Sequence, residues 1–237
     1  MKILIPSYNR ARCVFALDVF PTATVIVPTS QEADYRRCNP GATIQTIADA
    51  DDGNLSRKRN VVASLSGKEP DGAFVAVDDD VCGLWDKNEN RAVSGVEAVR
   101  VLETLAAQAE AQGAVMFGFN PSGRRPRQAE AEWALDEPFP HLYGFRGASG
   151  LTFDEAISGF EMTDFFFQCR EAGLKVLRWE RYGLEVVRGN LGGLERVKTQ
   201  CAEGGEALAR KWGPRVVELT PDGQVCGFHP RAVKVLS

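Results

Sequence analysis

Val75-Ala76-Val77-Asp78-Asp79-Asp80-Val81 drives an apolar β-strand directly into three adjacent carboxylates. In an α/β sheet, a strand of this kind delivers its acids to the carboxyl edge, where ligands bind. Three neighbouring acids at the end of a buried strand repel one another and cost stability unless a cation neutralises them. The triplet therefore points to a divalent metal. The plainer alternative is a solvated loop whose Asp residues cap the next segment.

Apolar runs recur outward from this strand, at residues 3–5, 24–27, 42–47, 73–77 and 115–119, with helical patterns between them. Such alternation predicts an α/β fold with a central, mostly parallel sheet flanked by helices. A helix after the acidic strand is marked by Ser94 and Glu97 as a capping box, by the stripe Ala98, Leu102, Leu105 and Ala109, and by Gly113 as its stop. Another begins at Asn54 and is expected to bury Leu55, Val62 and Leu65. Residues 120–140 hold four Pro and little periodicity, which reads as a long surface loop before a strand at 142–145. The last third offers a helix over 160–172, strands at 175–179 and 184–187, and a glycine-rich stretch at 189–193.

The 237 residues suffice for one domain spanning 1–237. Charged residues make up 25% and hydrophobic ones 44%, which excludes disorder. The longest apolar runs fall far below the roughly 18 residues of a membrane helix, so no membrane partner is expected. Six scattered Cys without a Cys-x-x-Cys pair give neither a zinc nor a redox motif, and with no signal peptide at the start they predict a reducing cytoplasm. A net charge of −4 excludes a globally basic nucleic-acid binder. Local basic groups nonetheless stand out: Arg57, Lys58 and Arg59, then Arg124, Arg125 and Arg127.

Three further constellations carry chemistry. Pro6-Ser7-Tyr8-Asn9-Arg10 closes the first strand, where Tyr8 offers a flat face to a nucleobase and Asn9 and Arg10 supply donors; a simple turn uses the same residues. The helix start at Asn54, beside Arg57 and Arg59, suits an anion such as a diphosphate. A calcium loop among Asp49, Asp51 and Asp52 fails on spacing. Glu161 and Asp164 share one helix face beside the apolar Met162, Phe165, Phe166 and Cys169, a setting that raises carboxyl proton affinity and suits a general base. His141 and His229 are the two imidazoles, and His229, in Phe-His-Pro, is the expected third metal ligand beside the acids.

Taken in order, Ile3-Leu4-Ile5-Pro6-Ser7-Tyr8-Asn9-Arg10-Ala11, Arg59-Asn60, the acid triplet, Glu161-Met162-Thr163-Asp164-Phe165, Arg170 and Ala172-Gly173-Leu174 resemble the GT-A fold nucleotide-sugar glycosyltransferases, family 2 above all. The resemblance covers most of residues 1–180. Two positions depart from it: Val27-Pro28-Thr29 stands where an Asp usually meets uracil, and Met162 replaces the second acid of the helix. The short length and the Pro-Ser-Tyr-Arg start are also similar to phage-type TET/JBP-associated glycosyltransferases, which modify hydroxylated pyrimidines in DNA.

The resemblance implies a Rossmann-like GT-A domain that transfers a sugar from a nucleoside diphosphate sugar to a hydroxyl. It implies donor contacts from Pro6, Ser7, Tyr8, Arg10, Arg57, Arg59, Asn60, Asp78 and Asp79, Mn or Mg on Asp80 and Asp78, and Glu161 or Asp164 as the base unless the mechanism is retaining. A DNA acceptor would be met by Arg124, Arg125 and Arg127, with Trp133 as a stacking surface. Saccharide, protein and small-molecule acceptors remain alternatives. A nucleotidyltransferase is the rival enzyme class, although residues 7–12 lack its Gly-rich phosphate loop with Lys, and a non-catalytic nucleotide-binding module is the third reading.

Overall fold

Residues 1–66, 73–126, 131–146, 150–157, 159–187, 197–222 and 224–234 are described by the structure, a computed structural model. Along the chain lie β1 (Lys2–Pro6), α1 (Ala16–Val19), β2 (Thr24–Pro28), α2 (Glu32–Cys38), β3 (Thr43–Ile47), α3 (Leu55–Ser66), β4 (Phe74–Val77), β5 (Val81–Asp86) and β6 (Arg91–Val93). They are followed by α4 (Gly95–Gln112), β7 (Ala114–Asn120), β8 (Trp133–Leu135), β9 (Leu142–Phe145), α5 (Glu161–Glu171), β10 (Lys175–Val186), α6 (Val197–Trp212), β11 (Val217–Leu219) and β12 (Val225–Phe228). Among the described residues no helix is long and apolar enough to cross a membrane.

The strands alternate apolar residues between two faces of one sheet. Ile3 and Ile5 of β1, Val25 and Val27 of β2, Val75 and Val77 of β4, and Phe117 and Phe119 of β7 pack with α1 and α4 on one side. Leu4, Ile26, Phe74, Ala76 and Met116 pack with α3, α5 and α6 on the other. Both faces are covered, which is why these strands read as nearly continuous apolar runs. Full burial of each Val, Ile or Leu contributes about 1.5–3 kcal/mol against the unfolded chain.

Among the described residues the sheet has ten strands in the order β3-β2-β1-β4-β9-β7-β10-β5-β6, with β8 paired to β10. β3, β2, β1 and β4 are parallel, as are β7 and β10. β9 runs antiparallel to both β4 and β7. The carboxyl ends of β1, β4 and β7 therefore share an edge with the amino end of β9. Gly144 makes that insertion feasible, because a Cβ there would lie 2.0 Å from the Phe117 ring.

The expected α/β architecture is present, and some local expectations change. Asn54 caps α3, its Oδ1 accepting the Arg57 N–H at 3.0 Å. Ala98, Leu102, Leu105 and Ala109 are all fully buried, and Gly113 closes α4 at φ +67. The capping box does not form: Ser94 makes no side-chain cap bond, and Glu97 is held by Arg91. Residues 175–187 carry one long strand rather than two, since Glu180 and Arg181 are accommodated by Asn120, Arg178 and Asp86. The 120–140 segment contains β8, whose Trp133 stacks on Trp179 at 4.4 Å between ring centres. Trp133 thus has one ring face against Trp179 and is half-buried.

Candidate functional site

β4 ends at Val77, and the next residue is tied to its neighbour strand: the Asp78 N–H donates to the His141 carbonyl at 2.7 Å. A turn from Asp78 to Val81 then starts β5. His141, just before β9, adopts φ +69, a left-handed conformation seldom held by a non-Gly residue outside constrained sites. Its Nδ1 lies 3.1 Å from Asp78 Oδ2. Asp78, Asp80 and His141 each offer a ligand atom within 4.8 Å of the others.

The electrostatics of this group call for a cation. Burial opposes the charge on Asp78, but Arg59 and then His141 outweigh it and hold the carboxyl at about 2. Asp80 behaves oppositely: burial first, then the charges of Asp78 and Asp79, push it up to about 6. Burial lowers His141, but its hydrogen bond to Asp78 and the charges of Asp78 and Asp80 raise it on balance. Asp80 Oδ1 is buried with no hydrogen-bond partner. Two carboxylates and an imidazole form a donor set that suits Mn or Mg, and a divalent ion there would satisfy that oxygen and remove the repulsion.

A cavity of about 210 Å³ opens beside the cluster. Pro6, Ser7, Tyr8 and Arg10 line it from the end of β1, with Asp52, Leu55 and Lys58 from the start of α3. Asp79 fastens these pieces together, accepting from Ser7 Oγ at 2.5 Å and from Arg10 Nη1 at 2.6 Å. Ser7 Oγ also lies 2.7 Å from the Tyr35 hydroxyl. Lys58 is 3% exposed and donates to the Ser7 carbonyl and to Asp52 Oδ2, both at 2.6 Å. Its Nζ sits 5.9 Å from the centre of the Tyr8 ring.

Behind the acids lies a buried charge chain. Arg59, 2% exposed and packed over Tyr143, donates to Asp78 Oδ1 at 3.0 Å and to Glu161 Oε1 at 3.1 Å. Glu161 thus reaches the site through Arg59 and does not line the cavity, and its Oε2 is buried without a partner. Asp164, fully buried, joins α5 to α6 by accepting from Trp212 Nε1 at 2.8 Å and Lys211 Nζ at 3.1 Å, and accepts from Gln168 Nε2 of α5 itself at 2.7 Å.

Several residues named from the sequence lie elsewhere. Arg57 is 43% exposed and pairs with Glu155 at 2.9 Å, while Asn60 holds the Phe153 backbone through both its side-chain atoms. Neither Arg57, Arg59 nor Asn60 lines the cavity. His229 pairs with Glu218 at 2.8 Å on the small β11-β12 sheet, so the imidazole beside the acids is His141. Arg124 stacks on Trp85 and pairs with Glu185 at 2.6 Å; Arg125 is exposed; Arg127 lies outside the described residues. The sequence reading named Asp52, Lys58 and His141 but chose none of them for the site. The signal for Lys58 was its place four residues from the polar Asn54 cap, in the first turns of the helix. The signal for His141 was only its position directly before a strand.

Neither a family model nor a curated protein sequence matches the chain. Solved structures do. The chain is similar to glucosyl-3-phosphoglycerate synthase from Mycobacterium tuberculosis, solved with Mn2+, uridine diphosphate and phosphoglyceric acid, at TM-score 0.57 and 11% identity over 97% of this chain and 86% of that one. It is also similar to the mannosyltransferase PcManGT from Pyrobaculum calidifontis, solved with GDP-Man and Mn2+, at TM-score 0.53 and 13% identity over 88% and 64%. S. aureus TarS 1-349 in complex with UDP gives TM-score 0.51 and 14% identity over 89% and 65%. The chain spans just under two thirds of the length of the last two. These likenesses show a shared fold.

Proposed function

We propose that this chain is a metal-dependent glycosyltransferase that moves a sugar from a nucleoside diphosphate sugar to a hydroxyl acceptor. The observation that carries the reading is the Asp78, Asp80 and His141 cluster, set at the sheet's carboxyl edge against a cavity with Tyr8 and Arg10. Support comes from neighbours of the same fold that are solved with nucleotides, nucleotide sugars and Mn2+.

Asp78, Asp80 and His141 would hold Mn or Mg, which when bound supplies positive charge for a departing diphosphate. The chain's own residues do the rest. Tyr8 offers a face for the base, and Arg10, steadied by Asp79, places a cation beside the acids. Arg59 fixes the Asp78 carboxylate in its ionised, metal-ready form. Of the two α5 acids, Glu161 is the one connected to this apparatus, and Asp164 is fully engaged by α6.

For the acceptor we take a 5-hydroxymethylpyrimidine in DNA. The turn carrying Arg124 and Arg125 follows β7, so it lies on the same sheet edge as the acids, and both side chains are exposed. Sugar transfer to hydroxymethylated DNA should then fall steeply with salt, and removing Arg124, Arg125 and Arg127 should flatten that slope. Transfer to a saccharide, protein or small molecule alone, or a salt-indifferent rate, would exclude DNA while leaving the glycosyltransferase reading intact. Loss of Mn-dependent nucleotide binding in Asp80→Asn tests that broader reading.

A further inference from the structure

His141 is the middle residue of a three-residue turn. The Leu142 N–H donates to the Pro140 carbonyl at 2.9 Å, and His141 itself holds φ +69. That combination is the γ-turn with the strained sign of φ, far rarer than its mirror form. A conformation of this kind persists only where its surroundings over-determine it, and such strain collects at functional sites. One constraint comes from β4, where the Asp78 N–H donates to the His141 carbonyl. The others come from the opposite side of β9, where a single rung of the β7-β10 ladder, Gly118 beside Arg178, meets the residues before the turn. Phe139 is 3% exposed and lies so close on Gly118 that a Cβ there would stand 2.3 Å from its ring. Arg178 Nη1 donates to the Pro138 carbonyl at 2.9 Å. Arg178 is in turn held by Glu180, 2% exposed, which also accepts from Asn120 at the end of β7. With φ fixed by the rings of Pro138 and Pro140, the chain has little freedom to relax between these anchors and His141.

We propose that Gly118, Phe139 and Arg178 are positioning residues that aim the His141 imidazole at the metal held with Asp78 and Asp80; this rests on the metal-dependent reading above. His141 differs in this respect from the two acids. Asp78 and Asp80 sit in the short turn between β4 and β5, so the two strands set their backbone. His141 instead depends on a turn that is unfavourable by itself and is held from a distant rung of the sheet. Gly118 serves that role only as a glycine, because any side chain would occupy the place of the Phe139 ring. Releasing the anchors would let His141 return to negative φ and carry its ring away from Asp78, where Nδ1 now lies at 3.1 Å. The acids would stay in place, so metal binding would weaken and not vanish. Loss of a group that orients a metal ligand typically costs about 10- to 100-fold in metal affinity.

Calorimetric titration of the whole chain with Mn2+ tests this, with circular dichroism to show that each variant is folded. Arg178→Met, which removes the donor to Pro138, should weaken Mn binding about 10- to 100-fold. Arg178→Lys, which keeps a charged donor, should weaken it less. Gly118→Ala, a second route should Arg178→Met not fold, should weaken Mn binding likewise, and adding Phe139→Leu, which makes room for the methyl, should recover part of the loss. His141→Asn then separates positioning from general support of the core. Residues that act through the imidazole have nothing left to position once it is gone, so adding Arg178→Met or Gly118→Ala to His141→Asn should cost no further Mn affinity. Unchanged Mn affinity in folded Arg178→Met or Gly118→Ala, or losses that add to that of His141→Asn, would overturn the positioning role alone. Absence of Mn binding in the wild type, or binding indifferent to His141→Asn, would overturn the metal reading on which it rests.

Discussion

Glu161→Gln separates a positioning role from a proton-transfer role. Arg59 is 2% exposed and divides its guanidinium between Asp78 at 3.0 Å and Glu161 at 3.1 Å, and Glu161 is itself 4% exposed. Breaking a buried ion pair by removing one charge typically costs about 3–5 kcal/mol. Asp78 remains on the other side and the Gln carbonyl still accepts from Arg59 Nε, which places the expected loss at the lower end, about 3 kcal/mol. For a chain of this size that corresponds to a drop in Tm of about 6–12 °C. Urea unfolding of the wild type and the variant should show the midpoint moving with m unchanged. A general base with a free carboxylate would behave otherwise, losing about 100- to 10,000-fold in rate while stability stayed within about 0.5 kcal/mol. That second outcome would refute the Arg59 bridge as the reason for Glu161.

Two other expectations concern the metal. His141→Asn, which tolerates positive φ, should weaken Mn binding measured by titration, and His229→Asn should leave it unchanged. Asp80 sits at about 6 in the fold, above the ordinary aspartate value, with Asp78, Asp79, His141 and Arg10 facing it. A raised acid binds more protons folded than unfolded, so the metal-free chain should lose this part of its stability as pH rises from about 4 to about 6. Stabilisation by Mn should grow over the same window, because the cation displaces that proton; unfolding midpoints with and without Mn, flat across pH 4–7, would contradict it.

What the sequence made legible is what local chemistry controls. The β4 run into Asp78, the Asn54 cap and the α4 stripe depend on residues within a turn or a strand of each other. The metal cluster needed more. His141 reaches Asp78 because β9 slots antiparallel beside β4, and nothing in the local pattern of residues 142–145 dictates that pairing. α3 misleads for a related reason: it buries Ser56, Lys58 and Arg59 in ion pairs and hydrogen bonds, so an apolar periodicity could not reveal which two of three consecutive basic residues point inward. Asp164 and Glu161 share a helix face as expected, yet α6 claims one and Arg59 the other, and both partners are distant in the chain.

Donor hydrolysis is the most direct measurement of the central claim. A set of nucleoside diphosphate sugars should be incubated with the wild type and with Asp80→Asn, each with Mn2+ and with a chelator. Sugar release from at least one donor is expected in the wild type with Mn2+, and its collapse is expected on chelation and in Asp80→Asn while the variant still folds. Release that persists unchanged without metal or without the Asp80 carboxylate would contradict a metal-dependent transferase built on Asp78, Asp80 and His141.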